Sequence, residues 1–155
     1  MNGCSRRFDQ SGQEILGEDE CLRLLDSVQV GRLVFTTGAL PAVRLVTFVV
    51  DADTIVFASA DGERRRAAER GDVVAFEVDD IDPDRQLGWT VTAVGHLSIV
   101  DADELETLQQ SLPPQPWPPA RNGHLIRLGI ESLDGRRLIA VAQRQQEDPR
   151  QEELS

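Results

Sequence analysis

Residues 44–70 read RLVTFVVDADTIVFASADGERRRAAER, and this stretch decides the fold. It begins with a run of β-branched and aromatic residues, turns at Asp51–Asp53, and returns as a second such run from Thr54 to Ser59. Residues of these types favour strands and turns respectively, so the pattern predicts a β-hairpin. Asp61-Gly62 then marks a turn, and Glu63–Arg70 contains the Arg, Ala and Glu residues that favour a short helix.

Three consecutive arginines, Arg64, Arg65 and Arg66, lie in the first turn of this predicted helix. Free backbone N–H groups and the helix dipole already make that end positive, so cations there are unfavourable unless an anion offsets them. A phosphate would do so, because amide donors, dipole and guanidinium groups would converge on it. Arg44, which begins the hairpin, would add a cation near Ser59. We interpret the stretch as an anion site; the alternative is a solvated helix face of ion pairs.

Length and composition limit the classes of function. The chain has 155 residues, enough for one domain with a buried core, and its formal net charge is −11. So acidic a chain is not expected to bind nucleic acid or an anionic membrane, and the partner of its arginine cluster should be a small molecule. Cys4 and Cys21 predict no disulfide framework, and no apolar run reaches the roughly 18 residues of a membrane span. A cytoplasmic location is therefore expected.

The pattern along the chain predicts one domain between two tails. Residues 1–16 are polar and aperiodic, which predicts a flexible N-terminal tail, and residues 143–155 predict a disordered C-terminal tail. Residues 17–142 form the predicted domain. Its helices are expected from Glu18, at Glu63–Arg70 and at Asp101–Leu112, and its strands at Val30–Thr37, Ala42–Val50, Thr54–Ser59, Asp72–Asp79, Trp89–Ile99, Leu125–Leu133 and Arg137–Ala142.

The strand pattern favours a small antiparallel barrel, because the strands follow one another without the helix alternation of a parallel sheet. A sandwich is the alternative. Trp89–Ile99 alternates with a period of two, and Gly95 in its middle predicts a bulge that bends the strand. Asp134-Gly135 is interpreted as the turn of a closing hairpin.

A series of short motifs spans roughly residues 18–142. They are Val30-Gly31-Arg32-Leu33, Arg44-Leu-Val-Thr-Phe, Asp53-Thr-Ile-Val-Phe57, Ser59-x-x-Gly62-x-Arg64-Arg65, Gly88-Trp89-Thr90-Val91, Gly95-His96, Pro116-Trp117 and Gly135-Arg136-Arg137. In order and spacing the series resembles the pyridoxamine 5′-phosphate oxidase-like, flavin-binding split-barrel superfamily, especially its small actinobacterial-type members. The resemblance implies a mainly β (α+β) fold, a six-stranded antiparallel split barrel of Greek-key type with a few short helices. It also implies a homodimer with FMN at the interface.

The resemblance implies which residues would contact FMN. They would be Arg44, Val46 and Thr47 along the flavin, Ser59 near the ribityl phosphate, Gly62, Arg64 and Arg65 on the phosphate, Thr90 at the ring edge, and Trp117 and Arg127 from the partner subunit. Two features depart from the family pattern. Glu63 replaces a serine of the phosphate turn, and Val49 lies near the position of a substrate-binding lysine. Because the chain also lacks tyrosine, it is not expected to oxidise pyridoxamine phosphate.

The expected function is that of an FMN-dependent oxidoreductase acting on an unknown small substrate. The flavin itself carries hydride transfer, so catalytic side chains stay unassigned. Two alternatives remain: a reductase that uses a deazaflavin coenzyme in the same groove, and a non-catalytic dimer with degenerate cofactor binding. His96 and His124 are not spaced as a metal pair, so no metal site is expected.

Overall fold

The chain folds into an antiparallel barrel with helices at its ends and on its outer surface. The computed structural model describes residues 5–59, 62–111 and 124–139. Its strands are β1 (Arg7–Phe8), β2 (Glu14–Leu16), β3 (Val30–Thr37), β4 (Leu40–Asp51), β5 (Thr54–Ser59), β6 (Val73–Asp82), β7 (Leu87–Ile99) and β8 (His124–Leu138). Its helices are α1 (Glu18–Asp26), α2 (Gly62–Arg70) and α3 (Ala102–Ser111).

Two antiparallel meanders, β3-β4-β5 and β6-β7-β8, make the barrel. They are joined along β3–β6 and along β5–β8, so these six strands close on themselves, and β1 and β2 are added beside β8. Closure removes the exposed sheet edges that a sandwich would retain. The predicted class, a mainly β six-stranded antiparallel split barrel with a few short helices, is confirmed.

Side chains from all six barrel strands fill the interior. The rings of Phe48 and Phe76 pack edge to face, with centroids 4.8 Å apart, and Phe57 is fully buried beside them in the same cluster. A second, smaller cluster lies outside the barrel, where Leu108 of α3 covers Val56 of β5. Burying each such large side chain contributes about 1.5–3 kcal/mol, so the interior cluster supplies most of the apolar stabilisation.

Gly95 produces the bend that the sequence predicts. The pairing of β7 with β8 shifts register between Val94 and Gly95, which confirms the bulge. A Cβ atom on Gly95 would lie 1.7 Å from the carbonyl oxygen of Gly129 on β8. The two backbones therefore cross too closely for any side chain at this position.

The predicted closing hairpin around Asp134-Gly135 is wrong. Residues 124–138 form one continuous strand, β8, which pairs with β7 along most of its length. Its other edge pairs first with β5 and later with β2. Gly135 has a packing role instead of a turn role, because a Cβ atom there would lie 2.5 Å from the Sγ atom of Cys21 on α1.

The prediction of a flexible tail over residues 1–16 is wrong for residues 7–16. Strands β1 and β2 pair with each other, and β2 pairs with β8. This small hairpin is held by ion pairs to the far end of the chain, between Arg136 and Asp9 at 3.0 Å and between Arg137 and Glu14 at 3.4 Å. Local polarity predicts a tail because those partners are distant in sequence. The predicted tail at 143–155 lies outside the described residues.

Candidate functional site

The candidate site lies at the split in the barrel, where β4 extends past the end of β5. Pairing of β4 with β5 begins at Phe48, opposite Phe57, whereas the earlier part of β4 pairs with β3. Continuing the β4–β5 register by two residues places Val46 opposite Ser59, the last residue of β5. Helix α2 begins three residues later. We call this region the rim: Arg44–Thr47 of β4, Ser59, and the first turn of α2.

Strand β4 presents the predicted flavin contacts on two faces. Val46 packs in the barrel core, and Arg44, two residues earlier, lies on the same face at the mouth of the barrel. The guanidinium carbon of Arg44 is 6.0 Å from the centre of the Phe35 ring, within cation–π range. Thr47 points to the outer face but is buried. The three residues therefore share a backbone edge, and only Arg44 offers an exposed charged group there.

Helix α2 is held rigidly behind the rim. Ala67 and Ala68 are buried, and the helix packs mainly against β7. The helix ends at Gly71, whose φ of 71° is the left-handed conformation expected of a C′ glycine. The amide of Gly71 donates to the Ala68 carbonyl oxygen at 3.1 Å, and that of Asp72 to the Ala67 carbonyl oxygen at 3.0 Å. The helix therefore projects its N-terminal turn from a fixed base.

The three arginines of α2 differ in their surroundings. Arg64 is half-buried, and its Nε atom is shielded from solvent. Arg65 donates from Nε to Glu69 at 3.1 Å, an exposed i, i+4 pair of the kind that the alternative interpretation predicts. Arg66 folds back toward the helix start, since a Cβ atom on Gly62 would lie 3.3 Å from its Nη1 atom. Arg66 thus places a guanidinium group over the first turn.

The predicted set therefore omits a residue that belongs to the rim. Arg64 and Arg65 match a family motif, whereas Arg66 falls outside it. The signal for Arg66 is its place near the start of a helix, from which its side chain extends back toward Gly62. The structure brings Ser59, Gly62 and the α2 arginines into one short segment, beside Val46 of β4.

Thr90 lies on a different part of the barrel surface. It is half-buried on β7, opposite Asp79 of β6 and Arg136 of β8. Arg136 donates from Nε to Asp9 at 3.0 Å and also pairs with Asp134. Thr90 therefore has a polar outer-face position on β7, which is separated from β4 by β3 and β6 in the sheet.

Arg127 forms ion pairs and a hydrogen bond within the chain. Its Nη1 atom donates to Asp51 at 3.0 Å and to the Thr54 hydroxyl at 2.7 Å, and its Nη2 atom pairs with Glu104 of α3. Its side chain is only 20% exposed. These bonds tie α3 to the β4–β5 turn, which gives Arg127 a structural role in this chain. Trp117, the other residue expected from a partner subunit, lies outside the described residues.

Hydrogen bonds and ion pairs shift the pKa values of several carboxyl groups away from the rim. The pKa of Asp9 is lowered to about 2, chiefly by the hydroxyl of Ser11, then by the amide of Gln13, with Arg136 contributing. The pKa of Glu20 is lowered by its hydrogen bond to Arg137. The pKa of Glu77 is raised by a hydrogen bond with Asp79 and by burial, against the opposing charge of Arg32. Asp9 and Glu20 are therefore perturbed by contacts that hold the fold together, and Glu77 by its neighbours on the outer face of the sheet.

Residues 5–59, 62–111 and 124–139 contain no group of three or more His, Cys, Asp or Glu side chains able to hold a metal ion. Their helices are also too short and too polar to cross a membrane. A cavity of about 340 Å³ lies between the Ile81–Leu87 turn and the end of β8 at Leu138. None of the predicted site residues lines it.

Comparisons with known proteins give one consistent family. The family model for pyridoxamine 5′-phosphate oxidase matches residues 17–137. An uncharacterized protein of Mycobacterium tuberculosis is 38% identical over 146 residues, which cover 89% of this chain and 95% of that protein.

Two solved structures extend the comparison. A candidate pyridoxamine 5′-phosphate oxidase of Corynebacterium glutamicum is 27% identical, with a TM-score of 0.70 and coverage of 83% of this chain and 99% of that one. A structure described as the FAD binding protein of Mycobacterium smegmatis is 29% identical, with a TM-score of 0.62 and coverage of 81% and 98%. Both similarities extend over almost the whole of the solved chains.

Proposed function

This chain belongs to the pyridoxamine 5′-phosphate oxidase family, and from that premise we propose that it binds a flavin nucleotide, FMN, with the phosphate at the rim. The observation that carries the proposal is the start of α2, where the N-terminal end of the helix and the arginines of residues 64–66 follow within a few residues of the end of β5. Amides, dipole and guanidinium groups at a helix N-terminus make a phosphate site.

The side chains of the rim fit such a group. Arg66 already lies over the first turn of α2, and Arg44 stands exposed on the adjacent part of β4. Gly62 keeps the start of the helix open, because a Cβ atom there would approach the Arg66 guanidinium. Glu63 is half-buried in the same turn and brings a negative charge. The rim therefore combines an excess of guanidinium groups with one carboxylate, a weaker phosphate site than a turn with serine in that position.

We further propose that the protein is an oxidoreductase acting on a small molecule. A bound flavin supplies hydride transfer. This chain would contribute orientation, through the backbone edge of β4 at Arg44–Thr47, and phosphate binding through α2. Pyridoxamine phosphate is not the proposed substrate, because Val49 stands near a lysine position of those oxidases and the chain has no tyrosine.

FAD is a second candidate cofactor, favoured by the similarity to the FAD binding protein of Mycobacterium smegmatis. FAD differs from FMN in continuing from the same phosphate into a second phosphate and an adenosine. A rim with three consecutive arginines carries more positive charge than a single phosphate needs. The relative affinities for FMN and FAD therefore measure how many phosphate groups α2 binds.

The proposed assembly is a homodimer with the cofactor at its interface, and the proposed location is the cytoplasm. Exposed aliphatic side chains on β4, Val43 at 53% and Leu45 at 50%, support a protein partner on that strand. The chain has two cysteines in 155 residues, a low content that suits a reducing compartment.

Titration of purified protein with FMN, FAD and a deazaflavin coenzyme tests the proposal, with flavin fluorescence quenching as the readout. We expect FMN or FAD to bind and the double variant Arg64→Ala, Arg65→Ala to bind far more weakly, since each charge-assisted bond contributes about 1.5–3 kcal/mol. The deazaflavin is expected to bind more weakly than either. Thermal unfolding of the variant should match that of the wild type.

Arg23→Ala with Arg85→Ala is a matched control, because it removes two exposed arginines of α1 and of the β6–β7 turn and makes the same change in net charge. It should leave flavin affinity within about twofold. If the α2 double variant and the wild type bind flavin equally well, the phosphate does not bind at the rim. If the protein binds none of the three cofactors, the remaining interpretation is a non-catalytic dimer.

A further inference from the structure

The outer face of the sheet carries a continuous patch across β4, β3 and β6. Paired residues on neighbouring strands share a face. Arg32 of β3 is opposite Leu45 of β4 and Glu77 of β6, and in the next row Val34 is opposite Val43 and Ala75. We define the outer patch as Arg32, Val34, Val43, Leu45, Val73, Ala75, Glu77 and Asp79.

Aliphatic side chains are exposed on both sides of β3 in the outer patch. Val43 and Leu45 are neighbours on one face of β4 and are 53% and 50% exposed, and Val73, 57% exposed, lies on β6, across β3 from them. Isolated exposed aliphatic residues are normal on a monomer, whereas adjacent ones on a flat sheet face mark a contact surface. This face is therefore suited to a partner that places apolar side chains against these aliphatic residues.

A group of three charged residues lies beside these aliphatic residues. The Nη1 atom of Arg32 is 3.0 Å from Asp79 and 3.8 Å from Glu77, so one guanidinium group serves two carboxyl groups. The residues facing this group from the adjacent strands are uncharged: Leu45 on β4, and Thr90 and Thr92 on β7. One strand further on, Asp134 and Arg136 pair with each other. The group thus keeps one negative charge in excess when both carboxyl groups are ionised.

The observations favour a second copy of this chain as the partner. A two-fold contact places a patch against itself, and a patch that combines apolar rows with both signs of charge, as this one does, can be complementary to itself. The patch is also continuous with the proposed site, because Thr47 lies two residues from Leu45 on the same face of β4 and Thr90 is opposite Asp79. A copy bound here would stand beside two of the residues expected to contact the flavin.

We propose that each chain takes up a proton at Glu77, beside Asp79, when a second copy of the chain closes over the outer patch. The proposal rests on the homodimer of the proposed function and adds its surface and its pH dependence. The side chains of Glu77 and Asp79 are 35% and 29% exposed. A partner chain bound over them would remove most of this remaining contact with water.

The sign of the pH effect follows from this geometry. Covering two neighbouring carboxyl groups that share one arginine disfavours the doubly ionised state, so the closed surface binds protons more tightly than the open one. The hydrogen bond between Glu77 and Asp79 already raises the pKa of Glu77 in the single chain. Dimerisation should therefore strengthen as the pH falls toward that pKa.

Analytical ultracentrifugation of the full-length protein between pH 8 and pH 5 tests the proposal. Each proton taken up makes the dissociation constant fall about tenfold per pH unit, so two chains give up to about a hundredfold per unit. Glu77→Gln removes the ionisable group, and we expect a tighter dimer at pH 8 with little further change at pH 5. Leu45→Glu should yield a folded monomer throughout this range.

Glu106→Gln is the control, because Glu106 is exposed on α3 and its loss changes the net charge equally. It should keep the pH dependence of the wild type. A protein that stays monomeric at every pH, a dimer with no pH dependence, or a Leu45→Glu variant that still dimerises would each overturn the proposal. Flavin titration of the same samples tests the proposed function separately. A dimer that depends on pH but binds no flavin would support the proposal for the outer patch and contradict the proposed flavin site.

Discussion

Two regions of the molecule are rich in arginine and use it differently. At the rim, Arg65 pairs with Glu69, four residues later on the same helix. Along the second half of β8, which we call the seam, Arg136 pairs with Asp9, and Arg137 with Glu14 and Glu20. The ion pairs of the seam connect the two ends of the described chain, whereas the Arg65–Glu69 pair at the rim lies exposed on one helix.

The difference shows that arginine spacing does not reveal arginine function. Both regions contain consecutive arginines beside a glycine, and both belong to the motifs that suggest the family. Local, exposed pairs contribute little to stability, about 0–1 kcal/mol, so the α2 arginines can change partners at small cost. Arg137 is half-buried and bound to the buried Glu14, so its removal would leave that carboxylate to the longer, 3.7 Å ion pair with Arg6. Ligand binding is therefore expected at the rim and folding stability at the seam.

The largest expected effect comes from changing the packing of the seam. Gly135→Ala places a Cβ atom 2.5 Å from the Sγ of Cys21, in a buried position between β8 and α1. Overpacking of this kind costs about 1–3 kcal/mol. We expect a lower midpoint of denaturant unfolding and unchanged flavin affinity. Gly129→Ala is the control, since its Cβ atom would meet nothing closer than 4.0 Å, and equal stability of the two variants would contradict the packing argument.

A smaller effect, on binding alone, is expected at the rim. Arg66→Ala removes the guanidinium group that lies over the first turn of α2 and should weaken flavin binding about tenfold, the low end of the range for a charge-assisted bond. Arg65→Ala should weaken it less, because Arg65 pairs with Glu69. Isothermal titration gives both affinities, and thermal unfolding should change in neither variant. A larger loss of flavin affinity in Arg65→Ala than in Arg66→Ala would show that Arg65, and not Arg66, is the main phosphate contact of the two.

The smallest effect is the acid sensitivity of the seam. The folded pKa of Asp9, about 2, lies below its ordinary value of 3.8, so its stabilising contribution is present above about pH 4 and is lost as the pH falls through 2. We expect Asp9→Asn to be less stable than the wild type at pH 6 and nearly equal to it at pH 2. Denaturant unfolding at both pH values measures the difference, and a constant gap would show that Asp9 is not the titrating group.

Elements defined by neighbours in sequence were predicted well. The hairpin of β4 and β5, helix α2 and its ending at Gly71 all follow from residues within a few positions of one another. The bulge at Gly95 was also predicted, because a glycine inside a strand has few other structural explanations. Local preference and tertiary structure agree in this part of the chain, which includes the β4, β5 and α2 segments of the rim.

Features that depend on distant partners were missed. Gly135 has the sequence signature of a turn, yet it serves close packing against Cys21, more than a hundred positions earlier. Residues 7–16 are polar enough for a tail, yet they form strands because β8 supplies an edge and two arginines. Arg127 was expected at a flavin, and the fold places it between Asp51 and Glu104. No short-range pattern specifies these partners.

The sequence by itself determined the acidic character of the chain, its antiparallel strands and a helix that begins with arginines, since these depend on composition and on spacing within one element. Tertiary structure decided which six strands close the barrel, which face each side chain occupies and which carboxylates neutralise which arginines. The physical reason is distance along the chain. Long-range contacts form only when the whole barrel closes, because each one costs loop entropy that a single pair cannot repay.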